Sequence, residues 1–490
     1  MKVDLKKYKV FGICFVISVL FLMIFSYSSS PLYDTYGGDS SIFMLIGKGI
    51  LNDKVPYLDL FDHKGPLLFF IEALGQSIIP DRLGIFILQI INLTVCLIFL
   101  NKISNLFISS KKSIISVLSF ILILIMTMRN GNISEEYSLI FIIISLYLAL
   151  KYYLSESIEH NYRYAFIYGI CFISLFLIKM NSIIPISMII FIILLDLIFK
   201  KQYKNILINA LAFIGGVAVI LIPISIYFIY HGALYEMIYG TLLFNFKYMG
   251  VGTGKLALIN LIAQQMMTLL PTIIPSIAIV LLYRKDKKYR LIIFIIAFSI
   301  SFYFTINTGH KYIYYHVLNA IPFSLGVMLI IKYFEVSKNT YKLIKLSLTF
   351  IITMSITLYA YIGRDIVSIL KAQSKSTYNV EAKELADNIP INERNDVLGY
   401  NTSSQWFMAT DILPITRFYT NQDWWNLFDN IVTTEIEELL LNNSPKWIIV
   451  PNIEDIQDDE IKEIIKNNYI LIDNNNTGQL YNIKDYTDIN

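Results

Sequence analysis

Ionisable and strongly apolar side chains meet abruptly in the stretch FDHKGPLLF, residues 61–69. Asp39 lies upstream of this stretch, after a first apolar segment, and a further apolar segment follows it as far as Ile79. Charge beside hydrocarbon is costly, and in membrane proteins it usually marks a transport pathway or a catalytic site. The stretch therefore predicts chemistry at a membrane surface.

The composition indicates a polytopic membrane protein. Of the 490 residues, 56% are hydrophobic and only 16% are charged, and the mean hydropathy is +0.58. These values lie well above the apolar share of an ordinary soluble domain. The net charge of +3 conceals an asymmetry, because the chain from Lys375 onwards carries 20 acids and 8 bases. The membrane part is therefore basic and the tail acidic.

About eleven apolar runs are long enough to cross roughly 30 Å of hydrocarbon as helices. These predicted spans are 10–28, 83–100, 113–128, 137–154, 164–179, 181–199, 206–230, 257–283, 291–306, 313–331 and 344–362. With the N-terminus assigned to the cytoplasm, the clusters of Lys and Arg between the spans fall on the cytoplasmic side, as the positive-inside rule requires. The sequence thus predicts a mainly helical membrane bundle.

The segment 66–79 is apolar but only about 14 residues long, which is typical of an interfacial helix rather than a span. Counting it as a span would move the basic loops to the outside, so we place it on the outer surface as a juxtamembrane helix. Residues 29–82 then form a first outer loop, and residues 129–136 form a second one.

The tail changes character from about residue 371. Short apolar runs of strand type alternate with acidic helical segments, which predicts a small α/β domain outside the membrane. The predicted strands are Asp396–Tyr400, Trp447–Pro451 and Tyr469–Ile472, and the predicted helices are Thr433–Leu441 and Ile456–Lys466. We therefore expect a transmembrane domain over 1–370 and an extracytoplasmic domain over 371–490.

Asp39 follows two glycines and precedes a short amphipathic segment. A carboxylate at a membrane edge can accept a proton from an attacking hydroxyl, because partial desolvation raises carboxyl pKa values. Aspartate is also among the preferred residues at a helix N-cap. Both roles stay open from the spacing, and they are compatible.

Asp62, His63 and Lys64 stand immediately before a helix that begins at Pro66. A lysine beside a helix N-terminus suits a phosphate or pyrophosphate group. The alternative is an interfacial anchor, with the lysine extending toward lipid headgroups. The residue types alone do not distinguish a phosphate site from an interfacial anchor.

Further polar clusters occupy the same predicted face. Arg129, Glu135 and Glu136 crowd the second outer loop, where first-turn acids could be catalytic or could complement a helix dipole. Lys311 and His316 flank a run of tyrosines that an aromatic belt at the membrane interface would explain. Within the spans, we expect Lys179 to extend toward the interface and Asp196 to pair with Lys200.

These residues resemble the membrane glycosyltransferases of the C-type fold, particularly bacterial relatives of protein O-mannosyltransferases and lipid A aminoarabinose transferases. The similarity runs over Gly38-Asp39, Pro56-Tyr57 and residues 61–69, and it covers the first 140 residues best. In that family an acid of the first outer loop is catalytic, a lysine in a Lys-Pro-Pro-Leu-Leu-like motif contacts the donor phosphate, and another acid lies in the second outer loop.

The resemblance implies that Asp39 and either Glu135 or Glu136 are catalytic and that Lys64 contacts the phosphate of the donor. We also expect His63, Arg129 and Lys311 near that phosphate. Tyr315-His316 is similar to a His-aromatic motif that opens a late span in such enzymes. The sequence departs from the family pattern at Gly65, where relatives often have proline, and at His63, where some have glutamate.

The resemblance implies a polyprenyl-phosphate-sugar donor, whose lipid tail stays in the bilayer while its sugar reaches the outer face. The predicted function is transfer of a hexose or pentose to an envelope polysaccharide, lipid or protein by one inverting displacement. A lipid or polysaccharide transporter and a polysaccharide polymerase are the alternatives.

No P-loop or Rossmann glycine motif argues for a nucleotide donor, and we expect no nucleic-acid partner. No cofactor is implied and no residue is assigned to a metal, although the outer carboxylates could hold a divalent cation. The abundance of Ile, Lys and Asn is typical of an AT-rich coding sequence. We therefore expect a multi-pass protein of a bacterial cell membrane, with its N-terminus in the cytoplasm and its tail outside.

Overall fold

The computed structural model describes residues 5–155, 157–249, 258–307, 312–336, 377–442 and 445–484, and most of them are helical. The predicted span over 344–362 and the predicted domain boundary at 370 lie outside the described residues. The predicted fold class, a helical membrane bundle with a small α/β domain near the C-terminus, is confirmed.

The α-helices described before the tail vary widely in length. They are α1 (Leu5–Phe25), α2 (Gly38–Ile50), α3 (Pro66–Ile78), α4 (Arg82–Phe107), α5 (Ser113–Thr127), α6 (Ser134–Leu154), α7 (Tyr162–Phe176), α8 (Ile184–Phe199), α9 (Tyr203–Tyr230), α10 (Leu234–Ile238), α11 (Phe244–Met249), α12 (Leu258–Tyr283), α13 (Tyr289–Ile306) and α14 (Ala320–Val336). Short 3-10 segments, Met180–Ile183 and Ile313–Asn319, lead into α8 and α14, and a π-helical segment, Tyr239–Leu243, joins α10 to α11.

Eight helical segments in the described part of the chain are long and apolar enough to cross a membrane. They are Tyr8–Phe25, Arg82–Phe107, Ser134–Leu154, Met180–Phe199, Tyr203–Tyr230, Gln265–Tyr283, Tyr289–Ile306 and Ile313–Val336. The chain is therefore a multi-pass membrane protein. Two further predicted spans form apolar helices of only 15 residues, α5 and α7. Because a span needs roughly 17 residues or more, the predicted count of about eleven is not confirmed.

The predicted amphipathic and interfacial segments of the first outer loop are the helices α2 and α3. Helix α3 has 13 residues and begins with Pro66, whose fixed φ suits the first turn and whose missing N–H is not needed there. Its position at the membrane interface stays a prediction.

The chain forms two compact units. The first comprises the residues up to Ser26, Ile87–Ile226 and the described part of 252–370. In it α12 packs against α13 and α14, α14 packs against α5, and α6 packs against α7 and α8. Ion pairs also join its helices, since Asp196 contacts Lys200 at 3.3 Å, as predicted, and also accepts two hydrogen bonds from Arg290.

The second unit comprises Tyr27–Phe86, Tyr227–Val251 and the described part of the tail. The tail helices are α15 (Thr377–Ala386), α16 (Ser404–Thr410), α17 (Gln422–Asn426), α18 (Ile431–Asn442) and α19 (Asp459–Asn468). Its strands are β1 (Val397–Gly399), β2 (Trp447–Val450), β3 (Tyr469–Asn475) and β4 (Gly478–Ile483), in the order β1-β2-β4-β3. Only β1 and β2 are parallel. The three predicted strands and two predicted helices are confirmed, whereas β4 was not predicted.

The first outer loop packs against the tail within this second unit. Helix α2 contacts both α3 and α16, and the Lys48 ammonium forms an ion pair with Asp411. The Asn379 side chain donates a hydrogen bond of 3.0 Å to Asp34. The loop that carries the predicted chemistry is therefore held by residues that follow it by more than three hundred positions.

Candidate functional site

Asp39 lies in the first turn of α2, and the N-cap of that helix is Gly37. The N-cap role considered for Asp39 is therefore wrong. Gly37 has a φ of 71°, a conformation that glycine adopts without strain and that leaves Asp39 inside the helix. The Asp39 side chain is half-buried, and its charge lies favourably at the positive end of the helix dipole.

Asp62, His63 and Lys64 form one cluster, in which Asp62 and His63 are buried and Lys64 is half-buried. The Lys64 ammonium lies 2.9 Å from His63 Nε2 and 3.9 Å from Asp62 Oδ1, and His63 Nδ1 lies 3.1 Å from the same Asp62 oxygen. Burial opposes ionisation of Asp62, but the charge of Lys64 and the hydrogen bond from His63 outweigh it and lower the pKa of Asp62 to about 2. Asp62 is therefore the counter-charge of the Lys64 ammonium.

The cluster stands directly before the N-terminus of α3. Gly65 is the N-cap, and no side chain caps the first turn. A helix N-terminus beside an ammonium group is favourable for an anion, because both place positive charge toward it. The contact of Lys64 with a phosphate group stays a prediction.

The two acids of the second outer loop have different partners. Glu136 accepts hydrogen bonds from the Gln89 amide at 2.8 Å and from the backbone N–H of Asn132 at 3.1 Å. The adjacent Gly131 has a φ of 73°, and a Cβ there would lie 2.0 Å from Ser26 Oγ, so only glycine fits. Glu136 thus fixes a tight loop against α4.

Glu135 forms a buried ion pair with Lys179. Ser134 donates a second hydrogen bond of 2.9 Å to the same carboxylate, and the ammonium lies 3.7 Å from the centre of the Tyr315 ring. Glu135 is 1% exposed and Lys179 is 9% exposed. The prediction that Lys179 extends to the interface is wrong, because a buried carboxylate holds its charge instead.

The remaining predicted site residues have separate surroundings. Arg129 is exposed and has a φ of 52°. His316 is buried in the first unit, with Nδ1 3.2 Å from the Asn319 side-chain nitrogen. Lys311 lies outside the described residues. Among the described residues, no three His, Cys, Asp or Glu side chains form a group that could hold a metal ion.

The predicted site residues divide between the two units. Asp39 and the Asp62 cluster belong to the second unit, whereas Glu135, Glu136 and His316 belong to the first. Lys179 was missed as a partner of Glu135, and its only sequence signal is a lysine at the end of an apolar run.

A protein-family model described as "Putative competence-induced protein Ccs4 N-terminal domain" matches residues 2–359. The chain belongs to this family. The match covers nearly all of the predicted membrane part and both predicted outer loops, and it ends before the described residues of the tail. The comparison with curated protein sequences gives no match for this member of the Ccs4 N-terminal domain family.

Two solved structures resemble this Ccs4-family chain over nearly its whole length. ArnT from Cupriavidus metallidurans, bound to undecaprenyl phosphate, is 8% identical with a TM-score of 0.59, and the alignment covers 96% of this chain and 97% of ArnT. The oligosaccharyltransferase of Archaeoglobus fulgidus, tethered to an acceptor peptide, is 13% identical with a TM-score of 0.54 and coverages of 99% and 74%. The likeness confirms the predicted C-type glycosyltransferase fold.

Proposed function

We propose that this protein transfers a sugar from a polyprenyl-phosphate-linked donor to a cell-envelope acceptor on the outer face of the membrane. The half-buried Lys64 ammonium beside the N-terminus of α3 is the observation that carries the proposal. It offers a leaving phosphate a fixed positive charge, and the related fold of ArnT binds undecaprenyl phosphate.

In the proposed reaction the acceptor oxygen attacks the anomeric carbon, and the bond from that carbon to the phosphate oxygen breaks. Asp39 takes the proton of the acceptor hydroxyl, and the phosphate leaves with the bonding electron pair. Positive charge develops on the sugar ring, as in glycoside hydrolysis. One displacement inverts the anomeric centre.

The resemblance implies a second catalytic acid in the second outer loop. Of the two acids there, we assign this role to Glu135. Its carboxylate is held beside an ammonium group, whereas Glu136 is bound by an amide and a backbone N–H that fix the loop. We therefore expect Glu135→Gln to abolish transfer and Glu136→Gln to retain a substantial part of it. Loss of activity in Glu136→Gln alone would reverse the assignment.

Binding of the phosphate is tested with the purified protein in detergent, by comparing thermal stabilisation by undecaprenyl phosphate with that by undecaprenol. We expect the phosphate to stabilise the wild type and Lys54→Ala, and we expect Lys64→Ala to respond equally to the two lipids. Lys54 lies in the same loop and serves as the matched lysine. Equal responses of the wild type to both lipids would contradict a phosphate site.

Transfer is tested in native membranes by mass spectrometry of envelope glycans and lipids from cells that carry the gene, lack it, or express Asp39→Asn. The deletion and Asp39→Asn should lack the same sugar, while Asp53→Asn, an exposed carboxylate of the same loop, should retain it. Normal product in Asp39→Asn at normal expression would exclude Asp39 as the base.

A further inference from the structure

We propose that the tail domain positions the loop of residues 57–64 and that Arg417 is the positioning residue. The inference deepens the proposed function, because the loop carries the lysine assigned to the donor phosphate. It gives a role to a domain that lies beyond the residues matched by the family model.

Tyr57 stands at the start of this loop in a strained conformation. Its φ is 69°, a conformation that is strained for a bulky residue, and its side chain is completely buried. The Tyr57 hydroxyl donates a hydrogen bond of 2.7 Å to the Lys64 carbonyl and accepts one of 3.2 Å from Thr241. Tyr57 therefore spans the loop from its beginning to the phosphate-binding lysine, and surrounding contacts must hold it in place.

Arg417 supplies such contacts from the tail at both ends of the same turn. Its guanidinium donates to the Tyr57 carbonyl at 3.3 Å, and its own carbonyl accepts from the backbone N–H of Phe61 at 2.9 Å. Glu435 accepts two hydrogen bonds from the guanidinium, one of them at 2.8 Å, and so fixes its orientation. One tail residue thus restrains the turn that precedes Asp62.

Aromatic rings of the tail hold the next part of the loop. The Phe61 ring lies 5.0 Å from Phe418 and 5.8 Å from Trp425, and the Trp425 ring also lies 5.2 Å from His63. These centroid distances are typical of favourable aromatic pairs. The side chains on either side of Asp62 therefore pack on the tail.

A loop that binds a phosphate gains affinity when its groups are already in place, because ordering them on binding costs free energy. The tail restrains residues 57–63 through backbone hydrogen bonds and ring packing, and neither kind of contact requires the tail to touch the substrate. We therefore expect damage to Arg417 to weaken donor binding more than it slows the chemical step.

The test compares Arg417→Ala with Arg394→Ala in the full-length protein. Arg394 is the matched control, because it bonds carbonyl oxygens and Asp387 within the tail. Hydrogen exchange of the loop amides at 58–64 should quicken roughly fivefold in Arg417→Ala, as the loss of the hydrogen bond from the guanidinium to the Tyr57 carbonyl predicts. Arg394→Ala should leave these amides unchanged, and equal exchange in all three proteins would overturn the proposal.

Kinetics with the lipid-linked donor supply a second measurement. Arg417→Ala should raise the donor KM severalfold with kcat within about twofold, and Glu435→Gln, which keeps Arg417, should give a smaller rise in the same direction. A fall in kcat with unchanged KM would contradict a positioning role. If no donor is turned over by any variant, the proposed function fails while the exchange measurement still decides whether the tail holds the loop.

Discussion

Two buried carboxylates of this protein, Asp62 and Glu135, are each stabilised by a partner a few ångströms away. Asp62 faces Lys64 and His63, and Glu135 faces Lys179. Removing one member of a buried pair leaves the other charge without compensation, which costs more than the pair contributes. Single substitutions at these positions should therefore affect stability as well as activity, and both need to be measured.

The Asp62 carboxylate makes a pH-dependent contribution to stability. Because its pKa in the folded protein is about 2, below the ordinary value, its contribution is complete above about pH 4 and is lost as the pH falls toward 2. We expect Asp62→Asn to be less stable than the wild type by about 2 kcal/mol at pH 7, with the difference shrinking below pH 4.

Denaturant unfolding in detergent at pH 7, 4 and 3 measures this difference. Asp53→Asn is the control, because that carboxylate is exposed and the same change of charge should be nearly neutral there. A constant difference between the wild type and Asp62→Asn at all three pH values would show that Asp62 does not act through its charge.

At the scale of elements, the middle of α3 packs closely on α2 at Gly47. A Cβ at Gly47 would lie 2.6 Å from the Glu72 Cβ and 2.8 Å from the Ala73 backbone nitrogen. Gly38, in the first turn of α2, has open space around the same position. The two helices can therefore approach only because residue 47 has no side chain.

Gly47→Ala should push α3 away from α2 and lower the free energy of unfolding by about 1–3 kcal/mol, the usual cost of overpacking. Gly38→Ala should change it by less than about 0.5 kcal/mol, because no neighbour has to move. Thermal unfolding of both variants in detergent checks the contrast. A tolerated Gly47→Ala would mean that the packing of α2 on α3 adjusts easily and does not fix the position of Lys64.

At the scale of the whole molecule, the predicted orientation places the tail outside and the loop near Lys204 in the cytoplasm. The native cysteines Cys14, Cys96 and Cys171 are buried. We therefore expect a maleimide to label an introduced cysteine and not the native ones. We expect a membrane-impermeant maleimide to label Ile391→Cys in intact cells and Lys204→Cys only after permeabilisation. Residue 391 is 85% exposed. The opposite pattern would invert the predicted topology.

The sequence by itself determined the membrane fold, most of the spans, the helix that begins at Pro66 and much of the tail domain. These features depend on composition, on the period of apolar residues and on local preferences such as proline in a first turn, all of which are visible within about twenty residues. Strand β4 was not predicted, because its sequence GQLYNI contains too few apolar residues to be distinguished from the polar, asparagine-rich residues around it.

Only the tertiary structure decided which residues meet. Lys179 neutralises Glu135 across 44 positions, and Arg417 bonds Tyr57 across 360. Asp39 also lies inside its helix, because the positive φ of Gly37 sets the boundary two residues earlier than a capping aspartate would. A contact between distant segments produces no local pattern in a single sequence. The partners of each charge could therefore be found only from the packing of the folded chain.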